Sequence, residues 1–286
     1  MSEGGHDHVA QRLRQSGTLA VLRSRRSSLE SRGVRGWELF EEMATAGVRH
    51  REAHAARTGR CGRCWHEGAR CVCGRLPSLR GEVLPGGVRL LILMHHKEYL
   101  SAGNSAKLLL RMMPDHQVEL FVFGLCGEMD RLARELAVDP TRNLTLWPGE
   151  NSVRLDEYLG NGPERGYFGS SPTLKLKQGQ CLRVVALDGT YSNAKHMRKA
   201  LRKRLGEVTP QEVALHPSTT SVFRWAQKNY GESANKGASS CDGSTRLARR
   251  VSTAEACGLL LIELGASAEV WSNIVRAVLL NNEALS

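Results

Sequence analysis

Residues 181–201 read Cys-Leu-Arg-Val-Val-Ala-Leu-Asp-Gly-Thr-Tyr-Ser-Asn-Ala-Lys-His-Met-Arg-Lys-Ala-Leu. Positions 182–187 are mostly apolar and β-branched-rich, the pattern of a strand covered on both faces. Gly189 permits a tight turn. Beyond it, Ala194, Met197, Leu201 and Leu205 recur at the three- and four-residue spacing of one helix face, while Lys195, Arg198, Lys199, Arg202, Lys203 and Arg204 cover the remainder. A strand, a turn and a basic helix therefore meet at one carboxylate, Asp188. In an open α/β sheet, ligands bind at the carboxyl ends of the strands, so this is a candidate site. Asp and Thr are also ordinary helix-capping residues, and a purely local role accounts for the same residue types.

Working outward, the chain alternates strand and helix patterns. Apolar runs over 88–94, 118–123, 144–147, 181–187 and 213–215 read as strands, and 105–112 and 129–136 as helices. Such alternation predicts an α/β fold with a mostly parallel sheet covered by helices. Polar, Gly- and Ser-rich stretches over 161–180 and 227–244 read as surface insertions. Ser252-Thr-Ala-Glu255 has the form of a capping box, in which the Ser side chain and the Glu carboxylate satisfy each other's backbone amides, and it opens an apolar helix over 257–264. A last amphipathic helix carries Val270, Ile274, Val275 and Val278.

Cys61-Gly-Arg-Cys64, six residues, then Cys71-Val-Cys73 places four thiols in a loop-rich stretch between Arg57 and Pro77 that is too poor in apolar residues for a core. A structural zinc, held tetrahedrally by four thiolates with no open position, is the expected organiser. Iron–sulfur ligation and reduced thiols or disulfides are the alternatives. Cys126, Cys181, Cys241 and Cys257 are scattered and read as buried or incidental thiols.

The 286 residues carry 40 Lys and Arg against 29 Asp and Glu, a net charge of +11, which points to a polyanionic partner, most simply nucleic acid. No apolar run has transmembrane length and the first residues lack a secretory h-region, so a protein of the cytoplasm or nucleus without membrane association is expected. Residues 1–35, rich in Arg, Ser and Gly, are expected to be disordered. Their composition between Gln11 and Ser28 also suits an organelle transit peptide, against which Glu3 and Asp7 argue. The organisation expected is thus the arm 1–35, a short helix and four-cysteine zinc module over 36–80, and an α/β domain over 81–286.

Asp188-Gly189-Thr190-Tyr191 resembles the Asp-x-Thr-Trp signature of the DTW-domain proteins, with Tyr191 where the signature has Trp. The aromatic ring is kept and the indole N–H is lost. Three further stretches resemble the family in the same order: the cysteine cluster, His95-His96-Lys97-Glu98 with Asn104 downstream, and Ser252-Thr253-Ala254-Glu255-Ala256. The resemblance implies an S-adenosylmethionine-dependent tRNA-uridine aminocarboxypropyltransferase. It implies a fold like that of the knotted SPOUT-type RNA methyltransferases, with a C-terminal knotted cofactor site. On that footing Asp188, Thr190 and Tyr191 are the catalytic candidates, and Gly124, Leu125, Gly189, Ser252, Thr253 and Glu255 line the cofactor. His95, Lys195, Arg198 and Arg202 touch RNA, and Cys61, Cys64, Cys71 and Cys73 hold structural Zn2+. The expected partner is tRNA, with no obligate protein partner evident. A methyltransferase using the same cofactor and a non-catalytic zinc-ribbon RNA-binding protein are the competing readings.

Overall fold

The sheet forms around a strand that has no polar face. Residues Val88–His95 (β1) bury seven of eight positions, leaving only Arg89 half-covered, and pair in parallel with Val118–Phe123 (β2) on one side and Leu182–Asp188 (β5) on the other. A strand this apolar is stable only at the centre of a sheet covered on both faces. The chain is described here by a computed structural model over residues 19–80, 87–149, 151–158, 181–215, 222 and 251–286. Within them, β3 (Asn143–Leu146), β4 (Val153–Arg154) and β6 (Gln211–Ala214) complete a six-stranded sheet in the order β2-β1-β5-β3-β6-β4. Every pairing is parallel. The mixed α/β class with a parallel sheet is as the sequence predicts. Strand β5 enters late, between β1 and β3, so its carboxyl end lies among loops contributed by earlier elements.

Odd and even residues of the strands feed separate cores. Leu90, Ile92, Met94, Val184 and Ala186 pack with α3 (Ala106–Met112), α7 (Thr253–Glu263) and α8 (Ala268–Ala284). Leu91, Leu93, Phe121, Phe123 and Val185 pack on the other face with α4 (Glu128–Ala137) and α6 (Tyr191–Leu205). The helix α6 presents to this core Ala194, Met197, Leu201 and Leu205, the four residues its spacing selects. Register sets Arg89 directly opposite Arg183, a like-charge pair that would repel. Glu135 of α4 accepts from both, at 2.6 and 2.8 Å, and these partners hold its carboxyl below the ordinary range although burial alone would raise it.

Two expectations are corrected. Residues 19–31, placed in a disordered arm, form a helix (α1), because Leu29 finds a buried position and Arg25 and Arg26 pair with Glu42 and Glu30 at 2.8 and 3.0 Å. The short helix expected ahead of the cysteines extends over 22 residues as α2 (Gly36–Arg57). Strand β4 and the one-turn helix α5 (Leu155–Tyr158) carry too few residues for a sequence signal. The expected insertions over 161–180 and 227–244, and Cys241, lie outside the described residues. Among the described residues no helix is long and apolar enough to cross a membrane.

Candidate active site and metal centre

Asp188 is the last residue of β5 and is buried, with 4% of its surface exposed. The capping role that its sequence context allowed falls instead to Thr190, whose Oγ1 accepts the Asn193 amide at 3.3 Å as the N-cap of α6. Asp188 is held by residues remote in sequence: Asn104 Nδ2 donates to it at 2.5 Å, and the Thr253 hydroxyl is its second partner. Burial raises its carboxyl above the ordinary value, while both hydrogen bonds, which favour the ionised form, oppose the rise.

The loops around it converge because three parallel strands end together. Met94 of β1 is in register with Asp188, which brings the following His95 and His96 beside it. Gly189 lies where a Cβ would come within 3.3 Å of the His95 Cβ, so the turn after β5 packs against the end of β1. Gly124, after β2, has φ +99 and leaves no room for a side chain: a Cβ would sit 3.0 Å from His96 Nδ1 and 2.8 Å from the Ala44 Cβ of α2. Burial pulls His95 down to about 3 and His96 to about 4, so both rings are neutral at physiological pH. His95, expected among the RNA contacts, is only 3% exposed. Its position between β2 and β5 places it in the floor of the site and away from the outer surface. Glu98 is raised by burial first and by the Asp188 charge second, with Arg51 opposing.

The start of α7 closes the site from the C-terminal side. Ser252 and Glu255 make the predicted capping box, with the Ser252 amide donating to Glu255 at 2.8 Å and the Glu255 amide to Ser252 Oγ at 3.4 Å. Glu255 is 1% exposed and its second oxygen accepts the Val222 amide at 2.8 Å. Each carboxylate oxygen thus accepts a backbone amide, and Thr253 is the member of this motif that reaches Asp188. Ser105 Oγ accepts the Ala254 amide at 3.3 Å, fastening α7 to the loop that carries Asn104. Leu125 is half-buried in the loop after β2, its amide bonded to the Val122 carbonyl at 3.1 Å.

On the outer side, Tyr191 is 45% exposed and stacks on Trp147, with ring centroids 5.6 Å apart and planes within 8°. The Lys195 ammonium lies over the Tyr191 ring at 4.8 Å and the Arg198 guanidinium over Trp147 at 5.0 Å. Lys195, Arg198, Lys199 and Arg202 line an open hollow of about 450 Å³ along α6. Arg198 differs from the other three: it forms a bidentate pair with Glu212 of β6 at 2.5 and 2.7 Å, which fixes it in the wall. Trp147 and Glu212 carried no sequence signal, since only the pairing of β3 with β6 brings them to α6.

The four predicted cysteines come together. All their sulfurs lie within 4.8 Å of one another, with Cys61–Cys73 and Cys64–Cys71 at 3.7 Å. Zn–S bonds of about 2.3 Å in a tetrahedron set S···S edges of about 3.8 Å, whereas a disulfide requires about 2.05 Å. The spacing fits a four-thiolate metal and excludes bonded pairs.

The DTW domain family model matches residues 58–234. The chain belongs to the DTW-domain family. Its match spans the metal cluster, Asn104, Asp188 and the basic helix, and the family is associated with tRNA modification. No curated protein and no solved structure matches the chain. Helices α1 and α2 precede the DTW match, yet Arg51 of α2 donates to the carbonyls of Tyr99, at 3.1 Å, and His96. The N-terminal extension therefore clamps the loop beside the DTW site, a contact that no motif in the sequence signals.

Proposed function

We propose that this DTW-domain protein is a tRNA-uridine aminocarboxypropyltransferase, which moves the 3-amino-3-carboxypropyl group of S-adenosylmethionine to N3 of a uridine and releases methylthioadenosine. The observation that carries this reading is the buried Asp188, raised by burial and held by Asn104 and Thr253 at the sheet edge, beside a basic helix. S-adenosylmethionine supplies an electrophilic propyl carbon next to its sulfonium. Uridine N3 carries a weakly acidic proton, and Asp188 accepts it as the N3–carbon bond forms and the carbon–sulfur bond breaks. A carboxylate at the ordinary value of about 4 would be a weak base, and the rise produced by burial improves the match.

The remaining roles follow from position. Gly124, Leu125, Gly189 and the start of α7 at Ser252 and Thr253 form the wall that takes the cofactor, with Glu255 fixing the helix start. Thr190 holds the turn in which Asp188 sits. Tyr191, backed by Trp147, offers an aromatic edge for a base drawn out of a single-stranded loop. Lys195, Lys199 and Arg202 neutralise phosphates, and Arg198 holds Trp147 in place. Cys61, Cys64, Cys71 and Cys73 hold a structural zinc that takes no part in the transfer. The late entry of β5 between β1 and β3, with α7 and α8 folded back on the same face, supports a SPOUT-like chain path with the cofactor at its C-terminal crossing. The domain division consistent with this is an N-terminal extension, the four-cysteine module, and the catalytic domain over 81–286.

The test is incubation of the purified protein with the cofactor and unmodified tRNA, followed by mass analysis of the nucleosides. Methylthioadenosine release with an aminocarboxypropyl-bearing uridine supports the reading. A methylated nucleoside, or tRNA binding with no product, overturns it in favour of a methyltransferase or a binding module.

A further inference from the structure

Lys107 has no part in the transfer, and its burial is unusual: it is 0% exposed in the core between α3 and the cysteine loop, a position Lys almost never occupies without a charge partner. Its Nζ donates to the Ala102 carbonyl and lies 3.4 Å from His66 Nε2 and 5.8 Å from the centre of the Trp65 ring. Trp65 and His66 directly follow Cys64. Burial pulls the Lys107 amine down to about 7; the thiolates of Cys64, Cys73 and Cys61 act to keep it charged, and Arg60 acts against. His66 is in turn anchored to Asn281 of α8 at 2.9 Å.

We propose that Lys107 is a positioning residue, the buried counter-cation of the metal–tetrathiolate centre, and that it couples the metal module to the loop bearing Asn104 and so to Asp188. The inference rests on the metal-binding part of the reading above, not on the reaction. Four thiolates around a divalent cation leave two negative charges, and negative charge out of water requires a facing cation. Among the neighbouring cations, Arg63 and Arg70 are exposed, and Arg60 is half-buried with one guanidinium nitrogen 3.4 Å from the Leu100 carbonyl. The fully buried basic side chain among them is Lys107.

The same residue connects to the candidate active site. The Lys107 amide donates to Asn104 Oδ1 at 3.0 Å, and Asn104 Nδ2 donates to Asp188 at 2.5 Å. Its side chain meanwhile fixes Ala102, two residues before Asn104. The two loops also lock together in strained backbone: Trp65 at φ 61 and Leu100 at φ 64 are the non-glycine residues with positive φ among the described residues, and Trp65 packs edge-on to Tyr99 at 5.5 Å. Bulky residues hold such angles only where the surroundings over-determine them. Metal occupancy at the cysteines is therefore felt at Asn104 through one side chain.

The experiment uses full-length protein loaded with cobalt in place of zinc, comparing wild type, Lys107→Met and Lys107→Arg. Lys107→Met keeps length and apolar contact but removes the charge. It is expected to release cobalt to a chelator about 10-fold faster or more, the scale of an outer-shell partner, and to shift the thiolate-to-cobalt charge-transfer band to lower energy. Lys107→Arg restores the charge and should recover part of both. Release and band within twofold and unshifted in Lys107→Met overturn the role of Lys107 while leaving the metal assignment standing; a wild type that takes up no cobalt overturns both. Should Lys107→Met fail to fold, wild type decides: stripping the metal must speed amide hydrogen exchange over 101–108 as well as 61–73, and unchanged exchange over 101–108 overturns the coupling.

Discussion

The cysteine module and the Asp188 site are ordered by opposite means. The module spans 13 residues, from Cys61 to Cys73, and its organisers are four side chains brought within 4.8 Å by local turns. Asp188 is ordered by partners 84 and 65 positions away, Asn104 and Thr253, which only the parallel sheet and the docking of α7 bring together. The lesson is that one unit is set by side chains close in sequence and the other by the global fold. Damage to the first should stay local until it reaches Lys107, whereas damage to the sheet edge should appear in chemistry before it appears in folding.

The largest effect tests that contrast at the module. Replacing Cys61 and Cys64 together by Ser should abolish metal binding and unfold 58–80 before the sheet, since a small metal loop takes its folding energy from the ion. Elemental analysis and hydrogen exchange check it; a metal-free variant with the loop still protected would show that packing alone orders it. Next, Asn104→Ala removes a donor that favours the ionised Asp188. It should cost roughly 1–3 kcal/mol of stability and raise the Asp188 carboxyl further. Because the proposed transfer needs the ionised form, the acid limb of the pH–rate profile should move to higher pH. An unmoved limb would mean that Asp188 does not govern it.

On the outer face, Lys199→Ala with Arg202→Ala should weaken tRNA binding evenly across sequences. Each lost phosphate contact should reduce the salt slope by about 1, as measured by binding isotherms at several ionic strengths. Arg198→Ala is predicted to differ, lowering thermal stability as well, because it leaves the 9%-exposed Glu212 without its bidentate partner. The smallest effect is expected from Tyr191→Trp, which restores the family's aromatic residue on top of Trp147. Turnover should be retained or rise a few-fold if the ring acts by stacking, worth about 1–3 kcal/mol per base, and a loss would assign a role to the phenol hydroxyl.

Much of this was legible in residue types and spacing. The strands β1, β2 and β5 were visible as apolar runs, α6 through its four buried positions, the capping box through Ser252 and Glu255, and the metal cluster through paired cysteines. Each signal lies within about 15 residues of chain. What could not be read depends on distance: that Thr190 and not Asp188 is the cap, that Glu255 is occupied by amides while Thr253 meets Asp188, that Trp147 backs Tyr191, and that Arg198 is held by Glu212. Helix α1 was missed because its Arg and Ser content resembles that of a disordered arm and its docking rests on one buried side chain, Leu29. Lys107 was hidden for a related reason, since no sequence pattern marks a lysine buried against His66, 41 residues away.

The most direct test of the account is Asp188→Asn, assayed for turnover and, separately, for binding of cofactor and tRNA. The substitution keeps the size and the acceptor that faces Asn104 but cannot take the N3 proton. Turnover should fall roughly 10²-fold or more with both affinities preserved. Its stability should behave in the opposite way. The native carboxyl is raised, so the contribution of Asp188 is most favourable below the unfolded value of about 3.9 and is lost as pH rises through the native one. The variant should therefore be no less stable than wild type at neutral pH. Near-normal turnover in a folded Asp188→Asn protein would contradict the account and make Asp188 a structural residue of the sheet edge.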